Sequence, residues 1–284
     1  MRPKMSRCGS VRILILSALA FFISRPVFTE VLSVESRRAL SAIKIDGLGD
    51  DWPPASPVLE SKTGAELRFQ NDGRNLYVLL VVKRPEALKA AEATGMTIFH
   101  GALRGKKPGS GVFFLAKDVS AEDIIRWREG HGALLTDDEK TEIRKSARQP
   151  LFLAFAVGAK GSMYGPVVRR QVDIDPPDFA VLRGEGEATY EFRIPLASPE
   201  SVPGGIGAEP GQAIRLSFDW GGTVRESLST KGSREAPSSE SGYMSGTGRT
   251  WGQEFLDTFD SMSRPSIGSG KYSFTLDVKL ADIK

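Results

Sequence analysis

The chain has 284 residues, 38 Lys and Arg against 35 Asp and Glu, and one cysteine. One cysteine excludes an internal disulfide framework and any cysteine-built metal site. The near balance of charge excludes the broad basic surface that nucleic-acid binding needs.

The first segment has the layout of a secretory signal. Arg2, Lys4, Arg7 and Arg12 form a basic stretch, and Ile13 to Ile23 is an uncharged run, apolar except for Ser17. Eleven residues rise only about 16 Å as a helix, roughly half the hydrocarbon core of a bilayer, so a signal peptide is expected over 1–29 rather than a spanning helix. No A-x-A pattern follows the run, which leaves retention as an N-terminal anchor as the alternative. Cys8 precedes the apolar run, so it is not a lipoprotein cysteine, and cleavage would remove it. Cleavage would also remove five bases and no acid, leaving 33 bases against 35 acids, a balance of −2. The expected location is outside the cytoplasm, periplasmic or secreted, with no transmembrane span after cleavage.

Residues 30–42 read as a lead-in, and 43–284 as one β-sandwich domain. Ile43 to Gly47 predicts a short alternating strand ending in an Asp-Gly turn, and Pro53-Pro54 forbids regular structure after it. Ala65 to Phe69 and Leu76 to Val82 flank Asn71-Asp72-Gly73, a hairpin pattern. The second of these strands is apolar on both faces and should lie centrally, covered on both sides. An Ala- and Glu-rich stretch over 85–95 predicts a short helix.

Strands are expected at Met96 to His100 and Val112 to Ala116. A helical insertion is expected over about 119–149. It opens at the Ser120 cap with acids in the first turn, and has a second helix from Asp137 to Ala147, capped by Thr136 and stopped by Pro150. Strand patterns return at 151–157, 167–174, 188–195 and 213–220. Residues 225–270 are rich in Ser and Gly and read as a long loop excursion. Tyr272 to Leu280 alternates and closes the sheet. Many short alternating strands with Gly and Pro turns make the expected class all-β, an antiparallel sandwich with a short helical insertion and a long Ser/Gly-rich loop.

Ile45-Asp46-Gly47 with Asp51-Trp52, then Asp72 to Val78, then Tyr190-Glu191-Phe192-Arg193-Ile194-Pro195, and then the strand after Pro210-Gly211 follow one another in a recognisable order. In this order they resemble the family 9 carbohydrate-binding-module-like domain, a relative of the DOMON sandwiches. The match covers roughly 43–84, 151–220 and the final strand. The resemblance implies a β-sandwich in which Gly47 and Gly73 serve turns and Trp52, Leu76, Tyr77 and Ile194 are core. It also implies a non-catalytic module that grips carbohydrate with aromatic side chains.

A pyranose presents an apolar C–H face that stacks on a flat ring beside hydrogen-bonding groups. Trp220, Tyr243 and Trp251, at a strand end and in the loop excursion, are the candidate ligand-binding residues. Core packing is the alternative for each, and Trp127 is expected to pack from the inserted helix. Asp173, Asp175 and Asp178 alternate as calcium ligands would, but depart from the D-x-D-x-D-G loop, and a solvated bend accounts for them equally. Nothing in the spacing of His100, His131 and the methionines singles out a haem-ligating pair, and there is no C-x-x-C-H. H-E-x-x-H and G-x-S-x-G are also missing, and Gly101 to Lys107 is one residue short of a phosphate loop. The expectation is therefore no catalytic residue, no metal and no cofactor. The partner is carbohydrate or an envelope glycan; the alternative is a structural or assembly protein of the envelope acting through protein contacts.

Overall fold

The computed structural model describes residues 31–103, 109–130, 133–158, 163–166, 175–222 and 270–283. Two units are distinguished, Met1–Glu30 and Val31–Lys284, and the description that follows concerns the second. Among the described residues there are thirteen strands in two sheets, and three helices.

Sheet A holds β1 (Leu32–Glu35), β6 (Met96–Ala102), β7 (Gly111–Ser120), β8 (Arg148–Val157), β9 (Met163–Pro166), β12 (Ala213–Gly221) and β13 (Lys271–Lys279). Their order across the sheet is β1-β13-β12-β6-β7-β8-β9. Sheet B runs β10 (Asp178–Arg183), β11 (Ala188–Pro195), β5 (Asn75–Val82), β4 (Ala65–Asn71), β2 (Arg37–Arg38), with β3 (Val58–Glu60) also on β4. The pairings are antiparallel except β1 with β13 and β2 with β4, which are parallel. The protein is an all-β sandwich.

The alternation read from the sequence is what makes the two layers. On β11, Tyr190, Phe192 and Ile194 point inward, and on β12, Ile214, Leu216, Phe218 and Trp220 do so; all are buried. Rings fill the gap between the sheets. Phe114 lies 4.8 Å from Phe192, Phe179 stacks on Phe192 at 5.9 Å, and Phe218 stacks on Phe274 at 4.8 Å. As its two-sided apolar pattern requires, β5 is central in sheet B between β4 and β11.

Strands β3, β9 and β10 were not expected, and three further segments differ from expectation. Residues 31–38, read as lead-in, supply β1 to sheet A and β2 to sheet B, so this stretch crosses from one layer to the other at Ser36. Ser36 Oγ bonds Asn71 Oδ1, and both accept from the Ala281 amide, at 2.8 and 2.7 Å, tying the first strand to the last. Ile43 to Gly47 is not a strand; it lies on the outer face of sheet B, where its amides are held by a side chain instead of a ladder. Pro150 does not stop the second inserted helix. That helix, α3 (Asp137–Arg144), ends earlier, and Pro150 sits within β8 opposite Asp118. Among the described residues this end of β8 pairs with β7 alone, since β9 pairs at Phe155 and Val157, and an edge position of this kind tolerates a proline.

The other helices are α1 (Pro85–Thr94) and α2 (Ala121–Gly130). Thr136 and Glu139 form a reciprocal capping box at the start of α3, as the sequence predicts. Ile124, Ile125 and Ile143 of α2 and α3 pack on Phe113, Leu115, Leu153 and Phe155, the outward side chains of β7 and β8. The expected strand at 167–174 lies outside the described residues, as does nearly all of the 225–270 excursion. Among the described residues no helix is long and apolar enough to cross a membrane, which says nothing of a β-barrel.

Candidate functional site at the Trp220 end of the sandwich

The residues that carry the family-like motifs meet around one buried carboxylate. Glu191, on the outward side of β11, is fully buried. It accepts from Gly47 N at 2.7 Å, Asp46 N at 3.0 Å and Trp52 Nε1 at 2.8 Å. Trp52 and Ile43 then pack on Tyr77 and Leu79 of β5. Gly47 has φ +83°, and a Cβ there would lie 2.7 Å from the Leu182 amide nitrogen, so only glycine fits. Burial pushes the Glu191 carboxyl above its ordinary range, against the opposing pull of the amide donors and the indole. These residues pin the 43–52 strap over sheet B; they are structural.

Trp220 does not present a platform. It is 2% exposed, and its Nε1 donates to Ala87 O of α1 at 3.0 Å. A stacking platform needs an open ring face, whereas the Trp220 ring lies against Tyr272 at 5.6 Å and meets Phe274 edge-on at 5.9 Å. The expectation of a ligand-facing ring at Trp220 is therefore corrected: the inward register that buries Phe218 also buries Trp220. Tyr243 and Trp251 lie outside the described residues.

Tyr272, which sequence reasoning missed, is the half-exposed ring at this end. It stacks on Trp220 at the first turn of β13, with Gly270 against its edge. The signal was present: Tyr272 is the second residue of an alternating strand and lies two positions after Gly270, where an inward ring reaches the rim of the sandwich instead of its middle. The described chain breaks off at Gly222 and resumes at Gly270, and both ends are firmly seated. Gly221 N donates to Thr94 Oγ1 at 2.8 Å and pairs with Lys271 across the sheet. On the outward side, Asp219 faces Lys271 at 3.5 Å; burial raises its carboxyl pKa while the ammonium opposes that. Chemically, this rim offers an aromatic face, a carboxylate and an ammonium.

The remaining polar candidates have other partners. Asp175 and Asp178 flank Arg193, at 3.9 and 3.3 Å, so neither carboxylate is turned toward a shared metal position. Asp173 lies outside the described residues, and among those described no three His, Cys, Asp or Glu side chains are grouped to hold an ion. His100 is 1% exposed with Nε2 3.1 Å from Gly204 O, and burial lowers its pKa to about 4. It is a neutral core histidine, closed to any substrate. His131 lies outside the described residues.

No family model matches the chain, and no curated protein matches it in sequence. Among solved structures it is similar to a family 9 carbohydrate-binding module from Caldicellulosiruptor kristjanssonii in complex with glucose. That similarity has 12% identity and a TM-score of 0.31, and covers 89% of this chain and 97% of the other. It is also similar to a family 9 module from the same organism in complex with cellotriose, at 13% identity and a TM-score of 0.30, over 89% of this chain and 94% of the other.

Proposed function

We propose that the chain is an exported, non-catalytic module that binds carbohydrate at the Trp220 end of the sandwich. The observation that supports this is the seating of the Ser/Gly-rich segment. Its two roots, Gly222 and Gly270, flank a rigid base of Trp220, Ala87, Thr94 and Tyr272, with Asp219 and Lys271 beside it. Tyr243 and Trp251 belong to the segment between those roots and supply the rings that stack on sugar; Trp220 supports them from within the core.

Affinity gel electrophoresis of the mature protein through soluble polysaccharides tests this reading. Wild type is expected to be retarded by at least one of them, and Trp251→Ala or Tyr243→Ala to weaken retardation about tenfold or more, the worth of one stacking contact of roughly 1.4 kcal/mol. Unchanged retardation in both variants would refute the choice of residues, and no retardation on any glycan would refute the module itself. Intact-mass measurement of the secreted product checks export: the expected N-terminus lies before Leu32, because residues from Leu32 onward are already in β1.

A further inference from the structure

The outward side chains of β6, β12 and β13 form a surface unlike the rest of the sandwich exterior. Strap 43–52 covers β5 and β11 of sheet B, and α2 and α3 cover β7 and β8. Over β12 and β13 the outward side chains stay open: Lys271, Ser273 and Thr275 are exposed, and Arg215, Ser217 and Asp219 half-buried. The register sets them in rows. Gly101, Arg215 and Asp277 form one, Phe99, Ser217 and Thr275 the next, and Asp219 and Ser273 the third, which ends on β6 at the buried Thr97.

Two properties make this face suited to a ligand. First, its charges cancel locally. Arg215 bonds Asp277 through Nε at 2.7 Å and Nη2 at 3.0 Å, Lys279 meets Glu35 at 3.1 Å, and Lys271 meets Asp219 at 3.5 Å. Second, its centre is a hydroxyl ladder, with Ser217 and Thr275 hydrogen-bonded at 2.8 Å and Ser273 beside them. Phe99 stands half-buried at the margin, where the cluster under the helices begins. At about 3.4 Å per residue and about 4.8 Å between strands, Ala213 to Gly221 spans about 27 Å, and the three strands about 10 Å. That is an elongated strip, uncharged in sum, with hydroxyl groups at its centre.

We infer that this strip is a contact surface for an extended, uncharged, polyhydroxylated chain lying along β12 and β13. The inference rests on the carbohydrate reading above and adds a site to it. The ligand lies over Ser217, Ser273 and Thr275, whose hydroxyl groups exchange hydrogen bonds with its own, with the Asp219–Lys271 pair at one end of the strip. Because the ion pairs are already made within the strip, an acidic chain gains no free cation there and must lie beside Asp219, Asp277 and Glu35.

Affinity gels of the mature protein with hydroxyethylcellulose, glucomannan and arabinoxylan, against polygalacturonate and alginate, decide it. Wild type is expected to be retarded by a neutral polysaccharide and not by the acidic ones. Ser217→Arg with Thr275→Arg, which block the strip on side chains that support no core, are expected to weaken retardation about tenfold or more at an unchanged melting temperature. If these variants bind as wild type while Tyr243→Ala and Trp251→Ala do not, the strip is overturned and the module stands. Retardation by polygalacturonate or alginate alone also overturns the strip, and no retardation on any polysaccharide overturns both proposals.

Discussion

Glu191 is a carboxylate with three N–H donors aimed at it, two from the backbone at Asp46 and Gly47 and one from Trp52. Replacing one of its oxygens by NH2, as in Glu191→Gln, sets a donor against a donor in a closed site. Such an unmade buried bond costs about 1–3 kcal/mol, so a fall in the urea midpoint at unchanged m-value is expected. Gly47→Ala should cost a similar amount, because it combines a positive φ with a backbone clash at Leu182. His100 gives a pH dependence with a definite sign. In the unfolded chain it takes up a proton near 6.5, but in the fold only near 4, so the unfolded state binds more protons between these values. Its contribution is fully present above pH 6.5 and is lost as pH falls toward 4, by roughly 3 kcal/mol over that window. His100→Gln should flatten the stability curve between pH 4 and 6.5, measured by denaturant titration at each pH; an unchanged slope would assign the acid sensitivity to other groups. At this scale the sequence carried the motif residues but not their purpose. Ile45-Asp46-Gly47, Trp52 and Tyr190-Glu191 were visible as separate pieces; that one carboxylate joins them depends on a contact 139 to 145 residues apart along the chain.

Among the elements, β1 and β2 show how a polar, exposed segment can belong to the fold. Leu32–Glu35 is mostly exposed and its apolar pattern is weak, so nothing local marked it as a strand. Its place comes from the free edge of β13, with which it pairs from Leu276 to Lys279. Deleting 31–38 from the mature chain is expected to lower the melting temperature by several degrees and to raise hydrogen exchange along β13, because the edge and the Ser36–Asn71–Ala281 knot are lost together. An unchanged melting temperature would make these residues the plain lead-in that their composition implied. The helical insertion was legible because its signals are local: a capping box, acids in the first turns, and a change of period. Its inner boundary was not, since Pro150 reads as a helix stop until the unpaired side of β8 shows that a proline is tolerated there.

Across the molecule, the two sheets use three kinds of exterior. β5 and β11 are roofed by the 43–52 strap, β7 and β8 by helices, and β12 and β13 by nothing else among the described residues than their own paired polar side chains. An apolar outer face demands a cover, and Phe113, Leu115, Leu153 and Phe155 receive one. Ile125→Asp in α2 should therefore cost more than 2 kcal/mol, by placing an unpaired charge in that covered cluster, and expose surface that binds a hydrophobic dye. The proposed removal of the leader acts at this scale too. With a balance of −2 the mature protein is expected to focus on the acid side of neutrality, and focusing on the basic side would show that the N-terminal bases are retained.

Alternation with period two, turn residues and caps are local properties, and they determined the sandwich class, the hairpin at Asn71 to Asn75, the helix pair and the central place of β5. The order of strands, the strand that crosses between layers at Ser36 and the joining of distant motifs by Glu191 were decided by tertiary pairing, because the energies involved arise between residues far apart in the chain. Trp220 shows the division most directly. Its sequence neighbours put it at a strand end, where either an open ring or a buried one is consistent with the pattern. Only the arrival of α1 and Tyr272 around the ring decided that it is a buried core side chain.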